Sequence, residues 1–217
     1  MTEKKSIGII GGTGKHGFGI AKKLAKDGYP IIIGSRDVER GITKANQLIE
    51  FLKDSPNRGQ ISGGDNNLAS QADVIVLSIP ISSASDLLDP IKHNLENKII
   101  VDVMVNLKLD LLNKGDSTYD YLEKQYPTSK IVSCLKTVAT KLLNSQDTIE
   151  QTDFVISDDP EALELGLSIS KLMGLRPLGL KDPVHAVTIE NLVSLAIHIN
   201  KTYKGSHAGF LVTDVNN

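Results

Sequence analysis

The stretch Ile7-Gly8-Ile9-Ile10-Gly11-Gly12-Thr13-Gly14-Lys15-His16-Gly17 decides the fold. A short apolar run ends in glycines, and helical spacing follows from Gly17 to Lys26. Ile20, Ala21, Leu24 and Ala25 share one face of that helix, and Gly28 stands where a helix-terminating glycine belongs. Gly12, Gly14 and Gly17 spell G-x-G-x-x-G between the strand and the helix, which is the context the motif requires. Gly12 is expected to permit the tight turn. Gly14 lets the backbone approach a pyrophosphate, and Gly17 lets the helix pack closely on the strand. The free N–H groups and positive dipole of the helix start suit that pyrophosphate. Gly12, Thr13, Gly14, Lys15, His16 and Gly17 are thus expected to hold a dinucleotide. His16 reads either as a neighbour of the nicotinamide or pyrophosphate, or as an exposed helix-start residue.

Outward from the loop, Pro30 to Gly34 is a second buried strand whose tip continues as Ser35-Arg36-Asp37. An acidic residue at this tip usually binds the ribose 2′-hydroxyl of NAD. A hydroxyl and a cation, Ser35 and Arg36, suit a 2′-phosphate instead, and Arg40, one turn into a helix over 38–53, adds a second cation. Asp37 opposes this reading if its carboxylate turns inward. The expected nucleotide is NADP(H).

The remaining pattern repeats the theme. Apolar strands at Asp73 to Ile79 (stopped by Pro80), Lys98 to Val105, Lys130 to Leu135 and Asp153 to Ser157 alternate with helices at 83–91, 160–173 and 188–203. A short strand near Ile61 lies in the Gly-, Asn- and Ser-rich segment 54–67. Continuous apolar strands separated by amphipathic helices indicate a parallel sheet covered on both faces, with right-handed crossovers. The expected fold is α/β, a doubly wound Rossmann-type parallel sheet with a small C-terminal helical appendage. Residues 1–181 form the nucleotide-binding domain. Residues 182–217 are expected to close the substrate pocket, and also to build a homodimer, because Leu192, Leu195, Ile197 and Ile199 are apolar on more than one face.

Composition narrows the class. Lys and Arg total 24 against 26 Asp and Glu, a formal net charge of −2 that gives no reason to expect nucleic acid or a membrane surface as partner. No apolar stretch approaches the roughly 20 residues that span a bilayer, and Met1-Thr2-Glu3-Lys4-Lys5 leads into a strand rather than a secretory apolar region. Cys134 is the single cysteine, which excludes an intramolecular disulfide and fits a cytoplasmic protein. It reads as a small core residue. Asp158-Asp159 before Pro160 reads as a helix cap and first-turn carboxylate rather than a metal pair. No H-E-x-x-H, C-x-x-C or Ser-His-Asp pattern occurs, so no catalytic side chain and no metal ligand is expected.

The glycine loop, Gly34-Ser35-Arg36, Leu77-Ser78-Ile79-Pro80, Gly174-Leu175-Arg176-Pro177-Leu178, Glu190-Asn191-Leu192 and His207-Ala208-Gly209 together resemble the NADPH-dependent coenzyme F420 reductases. The resemblance runs over nearly the whole chain. It implies hydride transfer between C4 of the nicotinamide and C5 of an 8-hydroxy-5-deazaflavin, a reaction that asks mainly for alignment of two rings. It further implies that Ser78, Ile79 and Pro80 cover the nicotinamide ribose, and that Lys136, Thr137 and Val138 line the deazaflavin pocket. The last helix with Gly205 and Gly209 would close that pocket, and His207, flanked by these glycines, is the candidate among the C-terminal histidines to meet the substrate. The chain departs from the family at Lys136-Thr137-Val138-Ala139, where His-Thr-Ile-Pro is usual, and at Asp37, where a second basic residue is common. A lysine there suits an anionic deazaflavin or its phosphate tail, and equally a changed substrate. Two other readings stay open: an NADP(H)-dependent reductase of another small carbonyl, imine or metal-chelate substrate, and a non-catalytic NADP(H) redox sensor.

Overall fold

The structure, a computed structural model, describes residues 4–107, 112, 115–144, 150–205 and 207–215. The first three residues and residues 206, 216 and 217 of the expected C-terminal appendage therefore lie outside it. The chain opens β1 (Ile7–Ile10), α1 (Lys15–Lys26), β2 (Ile31–Ser35), α2 (Val38–Phe51), β3 (Ile61–Asp65), α3 (Asn66–Ala69) and β4 (Val74–Leu77). Next come α4 (Ala84–Leu88), α5 (Lys92–Leu95), β5 (Ile99–Asp102), α6 (Thr118–Gln125) and β6 (Lys130–Ser133). The chain then runs through α7 (Thr140–Asn144), β7 (Thr152–Ile156), α8 (Pro160–Leu172), β8 (Arg176–Leu180) and α9 (Ala186–Thr202).

The eight strands form one sheet in the order β3-β2-β1-β4-β5-β6-β7-β8. The six strands β3 to β6 are parallel to their neighbours, with β1 registered Ile7 to Ile31 on one side and Ile7 to Val74 on the other. The all-parallel expectation fails at one point: β7 pairs antiparallel to β6 through Ser133 and Ile156, and β8 follows β7 in parallel. The connection after β6 starts and ends at the same edge of the sheet, so no crossover to the far edge is needed and the direction reverses.

Two apolar layers cover the sheet. One gathers Ile20, Leu24, Leu48, Val76, Val101, Cys134, Ile169 and Met173; the other Ile75, Leu77, Leu88, Ile100, Tyr119, Leu122, Tyr126 and Ile189. Alternate residues of each strand feed opposite layers, as the period of two requires. Each fully buried Leu or Ile contributes about 1.5–3 kcal/mol. Cys134 is in the core as expected.

The α2–β3 contact is made by glycines. A Cβ on Gly41 would stand 2.2 Å from the Gly64 carbonyl oxygen, and one on Gly63 would stand 2.2 Å from the Gly41 carbonyl oxygen. Helix and strand backbones therefore touch, and this fixes where the first turn of α2 sits. Asp37 caps that turn, its Oδ1 accepting from the Arg40 N–H at 3.1 Å. Asp159 caps α8, accepting from the Ala162 N–H at 2.9 Å, while Asp158 accepts from the Tyr119 hydroxyl at 3.0 Å. No described helix is long and apolar enough to cross a membrane.

Candidate active site

Two cavities open beyond the C-terminal ends of the parallel strands, where ligands of open α/β sheets bind. The first, about 350 Å³, is lined by Gly11, Thr13 and Gly14 from the loop after β1 and by Ser35, Arg36, Asp37 and Arg40 from the tip of β2 and the start of α2. Asn66 of α3, Ser78-Ile79-Pro80 after β4, and Ser83 and Leu87 complete it. The second, about 480 Å³, is lined by His16, the same Ser78-Ile79-Pro80, the Val103 to Val105 segment beyond β5, Lys136, Val138 to Thr140, and Val193 of α9.

The glycine loop differs in detail from its sequence reading. The tight turn uses Gly11, whose φ is +77°, rather than Gly12. A side chain at Gly11 would be strained and would also meet the Ser78 carbonyl oxygen. Gly12 is buried against Ile9 and Ile33. Gly17 packs on the loop, a Cβ there lying 2.9 Å from the Gly11 carbonyl oxygen. Gly14 is different. It is the N-cap of α1, and only the Gly11 carbonyl oxygen, at 3.3 Å, comes near a Cβ placed on it. Its free side faces the first cavity, so a backbone cradle for an anion exists there, backed by the start of a twelve-residue helix.

The second feature of this cavity is its charge. Arg36 and Arg40 are exposed and make no ion pair among the described residues. Asp37, the residue that opposed a phosphate here, spends its Oδ1 on the α2 cap. Ser35 is buried, and its Oγ accepts from the Asp37 N–H at 3.2 Å. A cradle of N–H groups, a hydroxyl and two cations without carboxylate partners fits a dinucleotide with a 2′-phosphate. Asn66, which the sequence reading left in a loop, adds a buried side-chain oxygen with no partner among the described residues. Its position directly after a parallel strand was the available signal.

Lys136 departs from expectation. Its side chain is 1% exposed, and its Nζ lies 2.7 Å from Asp102 Oδ2, 3.0 Å from Glu190 Oε1, 2.5 Å from the Met104 carbonyl oxygen and 2.5 Å from Thr118 Oγ1. Four protein acceptors surround three donor hydrogens. The ammonium is thus committed inside the protein and is not presented to an anionic ring or tail; only the rest of the residue lines the second cavity. Thr118 also donates from its backbone to Glu190 Oε1 at 2.9 Å, and the Asn106 N–H donates to Oε2 at 3.0 Å. Burial works against the charged form of all three ionisable groups. Asp102 ends above its ordinary pKa; the two carboxylates outweigh burial for Lys136 and hold it above its own, and Lys136 with the N–H donors brings Glu190 below its own. The cluster ties the tip of β5, the loop after β6 and helix α9 together beneath the second cavity.

Leu135, just before Lys136, has φ +57°, uncommon for a bulky residue. Its N–H donates to Asp153 Oδ1 at 2.8 Å, which holds the turn.

The remaining site residues separate. Thr137 is buried but lines neither cavity. Lys15 lines a neighbouring open cleft with Thr140, Lys141 and Asn144. Gly205, His207 and Gly209 line neither cavity: the His207 carbonyl oxygen and Gly209 lie against Gln151, and Gly205 against Asn200. The cavity wall from α9 is Val193 instead. Val103, Met104 and Val105 were missed because the sequence reading kept them inside the strand over 98–105, and Thr140 because the short α7 that it begins carries no motif; the strand-end rule points to the first three.

His16 takes neither of its two sequence readings fully. It is a part-buried wall of the second cavity, its Nδ1 is 3.1 Å from Thr140 Oγ1, and its buried Nε2 has no partner among the described residues. Burial lowers its pKa to about 4.

Residues 6–106 match the family described as NADP oxidoreductase, coenzyme F420-dependent. The chain is 29% identical to the F420-dependent NADP reductase of Methanocaldococcus jannaschii, covering 96% of this chain and 98% of that one. It is 27% identical to the enzyme of the same description from Methanothermobacter thermautotrophicus, covering 96% and 95%. In fold it matches the crystal structure of a candidate F420-dependent NADP-reductase from Arthrobacter sp. FB24, with a TM-score of 0.79 at 22% identity over 97% of this chain and all of that one.

Proposed function

We infer that this chain belongs to the coenzyme F420-dependent NADP oxidoreductase family and transfers hydride between NADP(H) and the deazaflavin F420. The observation that carries the reading is the pair of cavities meeting at Ser78-Ile79-Pro80, one lined by the glycine loop, Ser35, Arg36 and Arg40 and the other largely apolar. With both coenzymes bound, a hydride would pass from NADPH to oxidised F420 and one proton from solvent would complete reduced F420, leaving NADP+. The protein's part is to bind and align. Thr13, Gly14 and the first turn of α1 hold the pyrophosphate, and Ser35, Arg36 and Arg40 hold the 2′-phosphate. Ser78, Ile79 and Pro80 bring the nicotinamide end to the boundary between the cavities. Val103 to Val105, Val138 and Val193 wall the second ring and exclude water. The Lys136 cluster keeps that wall in place from below.

Purified protein mixed with NADPH and oxidised F420 is expected to bleach the visible absorbance of the deazaflavin while NADPH is consumed in equal amount. Tight NADPH binding without turnover would leave the sensor reading in its place, and turnover only with an imine or carbonyl acceptor would leave the other-reductase reading. We further propose that residues 182–217 form the contact of a homodimer, supported by exposed Val184, Leu195, Ile197, Tyr203 and Leu211. A cytoplasmic location is supported by the single buried thiol and by soluble coenzymes as substrates.

A further inference from the structure

We propose that the His16 imidazole hydrogen-bonds, through Nε2, the amide edge of a redox ring bound in the second cavity, and so sets the angle at which that ring lies. The inference deepens the hydride-transfer reading and rests on it. His16 sits on the first turn of α1, two residues after the Gly14 cradle, and forms part of the second cavity's wall. Among the described residues the imidazole is anchored on one side only, by the contact between Nδ1 and Thr140 Oγ1, and Thr140 is itself a wall residue. Nε2 is buried and has no partner among the described residues. A buried polar atom without a partner, in the wall of a ligand cavity, calls for one from the ligand.

The chemistry of that partner follows from the protonation state. With its pKa lowered by burial to about 4, the ring is neutral at pH 7 and carries one N–H and one lone pair. When the Thr140 hydroxyl donates to Nδ1, Nε2 bears the hydrogen and meets a carbonyl oxygen. When Nδ1 donates to Thr140, Nε2 accepts from an N–H. An amide or imide edge offers both. The nicotinamide carboxamide and the pyrimidinedione edge of the deazaflavin are the two such edges in this reaction. A leucine or methionine of similar size would fill the wall without discriminating among flat rings, whereas His16 favours rings carrying this edge.

The test compares wild type, His16→Leu and His16→Gln for equilibrium binding of NADPH, oxidised F420 and 2′-phospho-ADP-ribose, which has the phosphates but no nicotinamide. His16→Leu is expected to weaken one ring-bearing ligand about tenfold, the loss of one hydrogen bond, and to leave 2′-phospho-ADP-ribose unchanged. His16→Gln, whose amide also donates and accepts, is expected to restore most of the loss. Loss confined to NADPH identifies the nicotinamide as the partner, and loss confined to F420 the deazaflavin. Unchanged affinity for both ring ligands overturns the proposal, as does a parallel loss of 2′-phospho-ADP-ribose, which would mean that the substitution only disturbs the loop. If wild type binds no F420, the function reading fails by itself, and the NADPH arm alone then decides for or against His16.

Discussion

Arg36 and Arg40 reach solvent at the edge of the first cavity and make no ion pair among the described residues, while Asp37 spends one carboxylate oxygen on the α2 cap. Arg36→Ala is therefore expected to weaken NADPH binding by ~1.5–3 kcal/mol, the worth of a hydrogen bond to a charged group, and to leave NADH binding nearly unchanged. Fluorescence titration with both nucleotides checks this, and equal losses would sink the 2′-phosphate assignment. Gly14→Val should fold normally, since its Cβ meets only one atom closer than 3.4 Å, yet abolish binding of both nucleotides by filling the cradle. A folded variant with normal affinity would place the pyrophosphate elsewhere. Asp153 makes a prediction of another kind. Burial raises its pKa to about 7, against the opposing pull of the Ser170 hydroxyl and the Leu135 N–H; a carboxyl in the unfolded chain titrates near ~3.9. Between those values the folded chain keeps a proton that the unfolded chain has released. Its contribution to stability is thus lost as pH rises from about 4 to about 7. Asp153→Asn retains the acceptor for Leu135 and removes the ionisation. Relative to wild type it should gain roughly 2–4 kcal/mol at pH 8 and almost nothing at pH 4 in urea unfolding. The same gain at both pH values would refute the raised pKa. The residues that gather around the first cavity were legible in the sequence because a spacing motif and a strand tip announce them. Asp153 and the Lys136 cluster were not, since their partners lie far along the chain and meet only in the fold.

Between elements, closeness of approach does what charge does between residues. The glycine contact of α2 with β3 holds the turn that carries Arg40. Gly41→Ala must push helix and strand apart, costing ~1–3 kcal/mol or more, and should lower NADPH affinity together with the melting temperature. An unaltered melting temperature would show that the contact is slack. The Lys136 cluster joins β5, α6, the loop after β6 and α9 in the same way. Lys136→Met leaves two buried carboxylates without their cation, and removal of one member of such a pair costs about 3–5 kcal/mol. The variant should melt early with or without ligand. A variant of wild-type stability that loses only deazaflavin affinity would return Lys136 to the ligand-contact role that the family resemblance implied. Most elements were readable from period and terminal residues, from β1 through α2 and again at α8. Three were not. Helix α6 has no long apolar stripe, and its capping box is formed by Ser117 and Asp120 rather than Ser and Glu. Strand β8 is hidden by Pro177 and Gly179, which the sheet edge tolerates. The helix expected over 83–91 is broken into α4 and a 3-10 turn, with Pro90 in that turn.

On the scale of the whole molecule, the doubly wound half follows from alternation of strand and helix, but strand direction at β7 does not: apolar runs carry no arrow, and direction is set by how the connection packs. The reversed pair β7–β8 widens the sheet and gives the C-terminal tail its seat. The Thr152 N–H donates to the Phe210 carbonyl oxygen, and Arg176 donates to the carbonyl oxygens of Val212 and Val215. With the tail fixed there, Leu195 and Ile197 of α9 and Leu211 stay exposed in one copy of the chain. Light scattering at micromolar concentration is expected to report a dimer, and Leu195→Glu with Ile197→Glu to shift it to monomer. A wild-type monomer would overturn the assembly.

The partition Ser78-Ile79-Pro80 has a face in each cavity. An occupant that shifts it on one side alters the grip on the other, and thermodynamics makes that influence mutual. Whatever factor saturating NADP(H) imposes on the dissociation constant of the deazaflavin, the deazaflavin must impose on that of NADP(H). Oxidised and reduced forms of each coenzyme can press on the partition differently, so the identity of the resident on one side biases which redox form is retained on the other. Three residues of main chain between two vessels thereby tie the exchange of one coenzyme to the exchange of its counterpart.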